Sequence, residues 1–83
     1  MVTKAPEIDL HGLFLEEALA EVERELNHAF VQEITDRRIR FITGRGPVLH
    51  PQVQKYLLAH PLVKAFSVDG YSISVFLEDY KDS

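Results

Sequence analysis

Asp9 and His11 stand one residue apart in the run Ile8-Asp9-Leu10-His11-Gly12, and they are the first residues in the chain able to do chemistry together. An imidazole titrates near neutral pH, so His11 can take or give a proton during cleavage of a phosphodiester. Asp9 can orient that ring, act as a base itself, or hold a divalent cation. Aspartate is poor in strands, yet Asp9 is flanked by Ile8 and Leu10 in an alternating apolar and polar run. Its carboxylate therefore has a hydrogen-bonded role, structural or catalytic. A histidine at a strand tip also suits a simple turn, and these residues alone do not separate the two readings.

The second candidate is Thr43-Gly44-Arg45-Gly46, a break after an apolar run. Glycine lets the backbone approach an anion closely and bare its N–H groups. The helix that follows adds its positive end, and Arg45 can grip a phosphate through two parallel hydrogen bonds. Two glycines at a strand end are equally a plain turn. No Gly-Lys-Ser/Thr follows as in a nucleotide P-loop, and the GxGxxG spacing of a dinucleotide site is absent. The chain has no cysteine, which removes disulfide scaffolds, thiolate zinc sites, iron–sulfur clusters and cysteine nucleophiles. No two histidines have zinc-pair spacing with a carboxylate nearby, and no serine sits in a nucleophile elbow. His28, beside the apolar stripe of a helix, and His60, at a helix end, read as structural or solvated.

Charge separates along the chain. The formal net charge is −4, which by itself opposes a general polyanion binder. Residues 37–68 nevertheless hold no acid and carry Arg37, Arg38, Arg40, Arg45, Lys55 and Lys64, with His50 and His60 besides. Nine of the 13 acids lie in residues 1–36, so the acidic total hides a basic middle.

The elements that must position these residues follow from periodicity. Eighty-three residues make one domain, and 46% hydrophobic with 27% charged residues is the composition of a folded chain. Ile8-Asp9-Leu10 is a short strand. Leu15, Ala18, Leu19, Val22, Leu26, Ala29 and Phe30 recur at spacings of three and four, one stripe of a helix closed by Ile34-Thr35-Asp36. Residues 38–43 are β-branched and aromatic enough for a strand. A second helix begins near Pro51, with Val53, Tyr56 or Leu57, and Leu58 as its apolar positions, and Pro61 ends it. Two strands, 63–68 and 72–77, are joined by the hairpin signal Asp69-Gly70. The order β-α-β-α-β-β predicts an α/β two-layer sandwich, a four-stranded mixed sheet with both helices on one face. Each β-α-β step predicts parallel neighbours. Both candidate loops then open at the carboxyl ends of parallel strands, where α/β sheets collect ligands. Residues 1–6 read as a lead-in, 7–78 as the domain and 79–83 as a tail. No apolar run approaches the ~20 residues of a membrane span, and no signal segment is evident, so a soluble cytoplasmic protein is expected.

Together these residues resemble a known family. Ile8-Asp9-Leu10-His11-Gly12, followed after four residues by Glu17-Ala18, is similar to the Leu-Asp-Leu-His-Gly…Glu-Ala opening of the Smr (small MutS-related) domain. Thr43-Gly44-Arg45-Gly46 resembles that family's second motif, a His/Thr-Gly-x-Gly turn, and the likeness extends over residues 7–78. The resemblance implies a fold similar to the C-terminal domain of bacterial translation initiation factor three. It also implies an endonuclease that nicks DNA or cleaves RNA, including messenger RNA on stalled ribosomes. The alternative is a non-catalytic module that binds nucleic acid or the ribosome. Carried over by position, Asp9 and His11 are the catalytic pair and Thr43, Gly44, Arg45 and Gly46 contact nucleic acid. Arg40, and His50 where the family often has arginine, complete the expected contacts. Phe14, at a helix start that is often polar, is either an exposed aromatic that stacks on a base or a core anchor. The expected partners are nucleic acid and, by the same resemblance, the ribosome. No membrane partner is expected, and the chain is expected to be a monomer. No cofactor is firmly implied, Mg²⁺ being the one candidate.

Overall fold

The computed structural model describes residues 6–32 and 38–78. The chain runs β1 (Glu7–Asp9), α1 (Leu15–Gln32), β2 (Arg38–Ile42), α2 (Leu49–Leu58), β3 (Val63–Val68) and β4 (Ser72–Leu77). This is the order that periodicity predicts. The expected helix end at Ile34-Thr35-Asp36, residues 1–5 of the lead-in and the tail from Asp79 lie outside the described residues.

Helix α1 forms because its glutamates, alanines and leucines are strong helix formers and its apolar residues make one stripe. Ala18, Val22, Leu26 and Ala29 are buried along it. Its start is fixed by Glu17, whose carboxylate accepts a hydrogen bond from the Phe14 N–H at 3.1 Å, the returning half of a capping box. In α2 the buried stripe is Leu49, Val53 and Leu57. Leu58, expected on the apolar face, is instead 78% exposed, because one residue past Leu57 turns about 100° around the helix.

The sheet has the order β1-β2-β4-β3. Strands β1 and β2 are parallel, with Ile8 opposite Phe41, whereas β4 is antiparallel to both of its neighbours. The second β-α-β step therefore departs from expectation. Strands β2 and β3 share a direction but are not neighbours, since the hairpin folds β4 between them. Burial explains the choice. Ser72, Ile73, Val75 and Leu77 of β4 are all buried, while β3 exposes Lys64, Ala65, Ser67 and Val68 and carries a register shift between Val63 and Ala65. A bulged strand with a lysine tolerates an edge, and an apolar one does not.

Ile39, Phe41, Ile73, Val75 and Leu77 of the sheet join Ala18, Val22 and Leu26 of α1 and Val53 and Leu57 of α2 in one core. Both helices thus cover one face, as predicted. No helix among the described residues is long and apolar enough to cross a membrane.

Candidate functional site

Parallel pairing of β1 with β2 brings the first two loops to one edge. The Leu10 N–H donates to the Ile42 carbonyl at 2.7 Å, extending the ladder one step beyond β1. Chain direction then turns sharply at Gly12, whose φ of +86° is a conformation that glycine adopts without strain. Asp9 and His11 project from this turn into solvent. One carboxylate oxygen, Asp9 Oδ1, accepts from the His11 backbone N–H at 3.0 Å and lies 3.3 Å from His11 Nδ1. With the Nδ1 proton directed at Asp9, Nε2 becomes the free basic nitrogen of the ring.

The Gly-Arg-Gly turn sits directly against this pair. Gly44 has φ +76°, and a Cβ placed on it would lie 3.3 Å from His11 Cβ. The backbone conformation favours glycine here, and an added Cβ would also crowd His11. Arg45 and Gly46 follow, both exposed, and Arg45 has no ion-pair partner among the described residues. No side chain caps the start of α2 at Val48, so its first amides remain available at the positive end of the helix.

A third loop, Asp69–Tyr71, supports the second from beneath. The Tyr71 carbonyl accepts from the N–H of Thr43 at 2.9 Å and of Gly44 at 3.0 Å. Thr43 itself is only 3% exposed, which places its side chain inside the turn rather than on the surface. Its hydroxyl lies 3.1 Å from the Gly44 carbonyl and 3.2 Å from the Tyr71 carbonyl. Both carbonyls can only accept, and the hydroxyl has one proton to give. Its shortest contact, 2.7 Å, is to His50 Nδ1. This contact holds the His50 ring against the turn.

Arg40 lies on the sheet face opposite the helices with its guanidinium occupied on three sides. It donates to Glu7 at 3.0 Å, Ser72 Oγ at 3.1 Å and the Tyr71 hydroxyl at 3.2 Å, and Asp69 is 3.8 Å away. It braces β1 and the third loop. Asp69 is held below the usual carboxylate range by hydrogen bonds from the Tyr71 N–H and then from the Ser72 hydroxyl. Phe14 is 80% exposed, so it is not a core anchor; it stands three residues from His11 at the start of α1. Among the described residues no cluster of three His, Asp or Glu side chains converges as a metal site.

Sequence reasoning missed two features. The supporting role of the Tyr71 carbonyl is a main-chain property that no side-chain pattern reveals. Elsewhere, Glu23 of α1 accepts hydrogen bonds from the Tyr56 hydroxyl and from His60 Nε2, the latter at 2.7 Å. His60 Nδ1 accepts the Leu62 N–H at 3.1 Å, which fixes its tautomer. Tyr56, with Asn27 and His60 behind it, holds the Glu23 carboxyl down at about 2, and burial pushes the Tyr56 phenol up to about 12. Every polar group of this cluster is satisfied, and it ties α1 to the end of α2.

A parallel strand pair thus delivers an acid, an imidazole and a glycine turn to one edge, and the chain belongs to the Smr domain family, whose model matches residues 8–72. It is 38% identical over 63 residues to the endonuclease MutS2 of Pelotomaculum thermopropionicum and 36% identical over 66 residues to that of Acetivibrio thermocellus. Those matches cover 75% and 78% of this chain but only 8% of each MutS2. The crystal structure of the Smr domain of Thermus thermophilus MutS2 superposes with a TM-score of 0.82 at 27% identity, over 89% of this chain and 99% of that one.

Proposed function

We propose that this Smr domain is a nucleic-acid endonuclease acting at the edge formed by the Asp9–Gly12 and Thr43–Gly46 loops. The observation that carries the proposal is the closeness of His11 to Gly44, which puts an imidazole paired with Asp9 beside a glycine turn bearing the exposed Arg45. Arg45, with the backbone amides of the turn, holds the scissile phosphate. His11 Nε2 takes the proton of the attacking hydroxyl, the 2′-OH of RNA or a water on DNA, and Asp9 stabilises the imidazolium that forms. The new P–O bond forms as the bond to the leaving oxygen breaks, and that oxygen is protonated from solvent. Thr43 shapes the turn and orients His50, a second imidazole for the phosphate. Phe14 offers a ring to a neighbouring base. The names of the MutS2 relatives as endonucleases support this reading.

The roles separate in a binding and turnover experiment on short RNA and DNA strands. Asp9→Asn is expected to lower kcat at least 100-fold with little change in Kd, the range for a lost acid–base component. Arg45→Ala is expected to raise Kd about tenfold, the loss of one charge-assisted contact. Equal loss of both quantities in both variants contradicts the assignment.

A further inference from the structure

Both helices pack on one face of the sheet, and among the described residues the opposite face is uncovered. Among the described residues two aromatic rings stand on it: Tyr71, whose ring is taken by Arg40 at 5.6 Å from its centroid, and Phe76 of the interior strand β4, half-buried. Its partner on β2 is Arg38, whose guanidinium carbon lies 5.9 Å from the ring centroid. Its partner on β3 is Ala65, next to the exposed Lys64 in the bulge. The next outward position along β4 is Ser74, paired with Ser67. The ring therefore has a cation on one side and small side chains on the other, which leaves room for a flat group to lie against it.

The same face leads to the candidate site. Asp9 projects from it, because Ile8 and Leu10 turn inward to the core. Asp9 pairs with Ile42, four positions along β2 from Arg38, and four strand residues span about 13 Å. A polynucleotide with its scissile phosphate at the loops would reach Phe76 within a few nucleotides, passing the Arg40–Tyr71 pair on the way.

We propose that this face is a second contact for that strand, on which an unpaired base stacks on Phe76 while Arg38 holds the adjoining phosphate. The inference rests on the loop edge being a nucleic-acid site and adds the substrate class. The strand is unpaired where it crosses the sheet, because the bases of a duplex are already stacked and have no face to offer. Stacking and phosphate contacts do not read the ribose, so RNA and DNA strands are both accepted.

The test is fluorescence anisotropy with a short labelled single-stranded RNA, the DNA of the same sequence, and its duplex. Phe76→Leu and Arg38→Gln are each expected to weaken both single strands about tenfold and leave the duplex unchanged. Arg38→Gln is also expected to flatten the salt dependence by about 0.7 in log–log slope, whereas Phe76→Leu is not. Ser67→Glu, at an exposed position beside the ring, repels the strand without touching the core, so the result does not depend on Phe76→Leu folding. If Arg45→Ala weakens binding while all three sheet variants bind as the parent does, the sheet contact is wrong and the loop-edge reading stands. Equal weakening of duplex and single strands overturns stacking. No binding by the parent protein overturns both.

Discussion

The closeness of His11 to Gly44, where an added Cβ would come within 3.3 Å of His11 Cβ, carries more consequence than any other single pair, because it couples two motifs that lie more than 30 residues apart. A side chain at Gly44 must enter the left-handed region, which costs about 1–2 kcal/mol, and crowds His11. Gly44→Ala is therefore expected to lower stability by roughly that amount, measured by urea unfolding. It is also expected to lose cleavage by far more than the stability change explains. A variant that loses stability but cuts at the parent rate places the chemistry away from His11. Arg40 makes the complementary point. Its sequence position put it among the nucleic-acid contacts, yet its guanidinium is engaged by Glu7, Ser72 and Tyr71. Arg45, three residues beyond the strand, is the exposed guanidinium of the turn. Sequence separates these two arginines only by inference, since the partners of Arg40 come from residue 7 and from residues 71–72.

At the level of elements, α1 and α2 are tied together by the bonds from Tyr56 and His60 to Glu23. Removing the phenol hydroxyl in Tyr56→Phe is expected to cost about 1 kcal/mol, read as a shift in the unfolding midpoint. The Glu23 carboxyl is held at about 2, below its unfolded value of 4.5. A depressed acid stabilises the fold above its unfolded value and loses that contribution as pH falls toward the folded one. The stability gap between the parent protein and Glu23→Gln is thus expected to be full above pH 4.5 and to close as pH falls to about 2. A gap independent of pH contradicts the bond network. The element order and the boundaries of β3 and β4 were legible because strand alternation, helical spacing and the breaks at Gly44, Pro61 and Asp69-Gly70 agree with one another. The parallel β1–β2 pair and the β3–β4 hairpin were legible too; the adjacency of β2 and β4 was not, because periodicity reports which face is buried and says nothing about which strand a hairpin turns toward. The Glu23 cluster escaped for a related reason: residues 23, 56 and 60 meet only when two helices pack.

Over the whole molecule, charge is unevenly spread. Glu16, Glu17, Glu21, Glu23 and Glu25 lie on α1, whereas Arg38, Arg45 and Lys64 lie on the sheet and at its loop edge, together with the acids Glu7, Asp9 and Asp69. If the loop edge holds phosphate as proposed, a net charge of −4 predicts that non-specific binding is weak. Two to three phosphate contacts predict a log–log salt slope for single strands between about −1.4 and −2.1. A flat dependence contradicts a phosphate interface. The most direct measurement is a gel assay of end-labelled single-stranded RNA and of nicked and branched DNA, with the parent protein beside His11→Ala, in Mg²⁺ and in chelator. Fragments from the parent, absent with His11→Ala while that variant still binds, are the expected result, and the chelator lane decides whether Mg²⁺ takes part. Fragments at equal rates from both proteins, or a salt-sensitive mobility shift with no fragments from either, contradict a nuclease centred on His11.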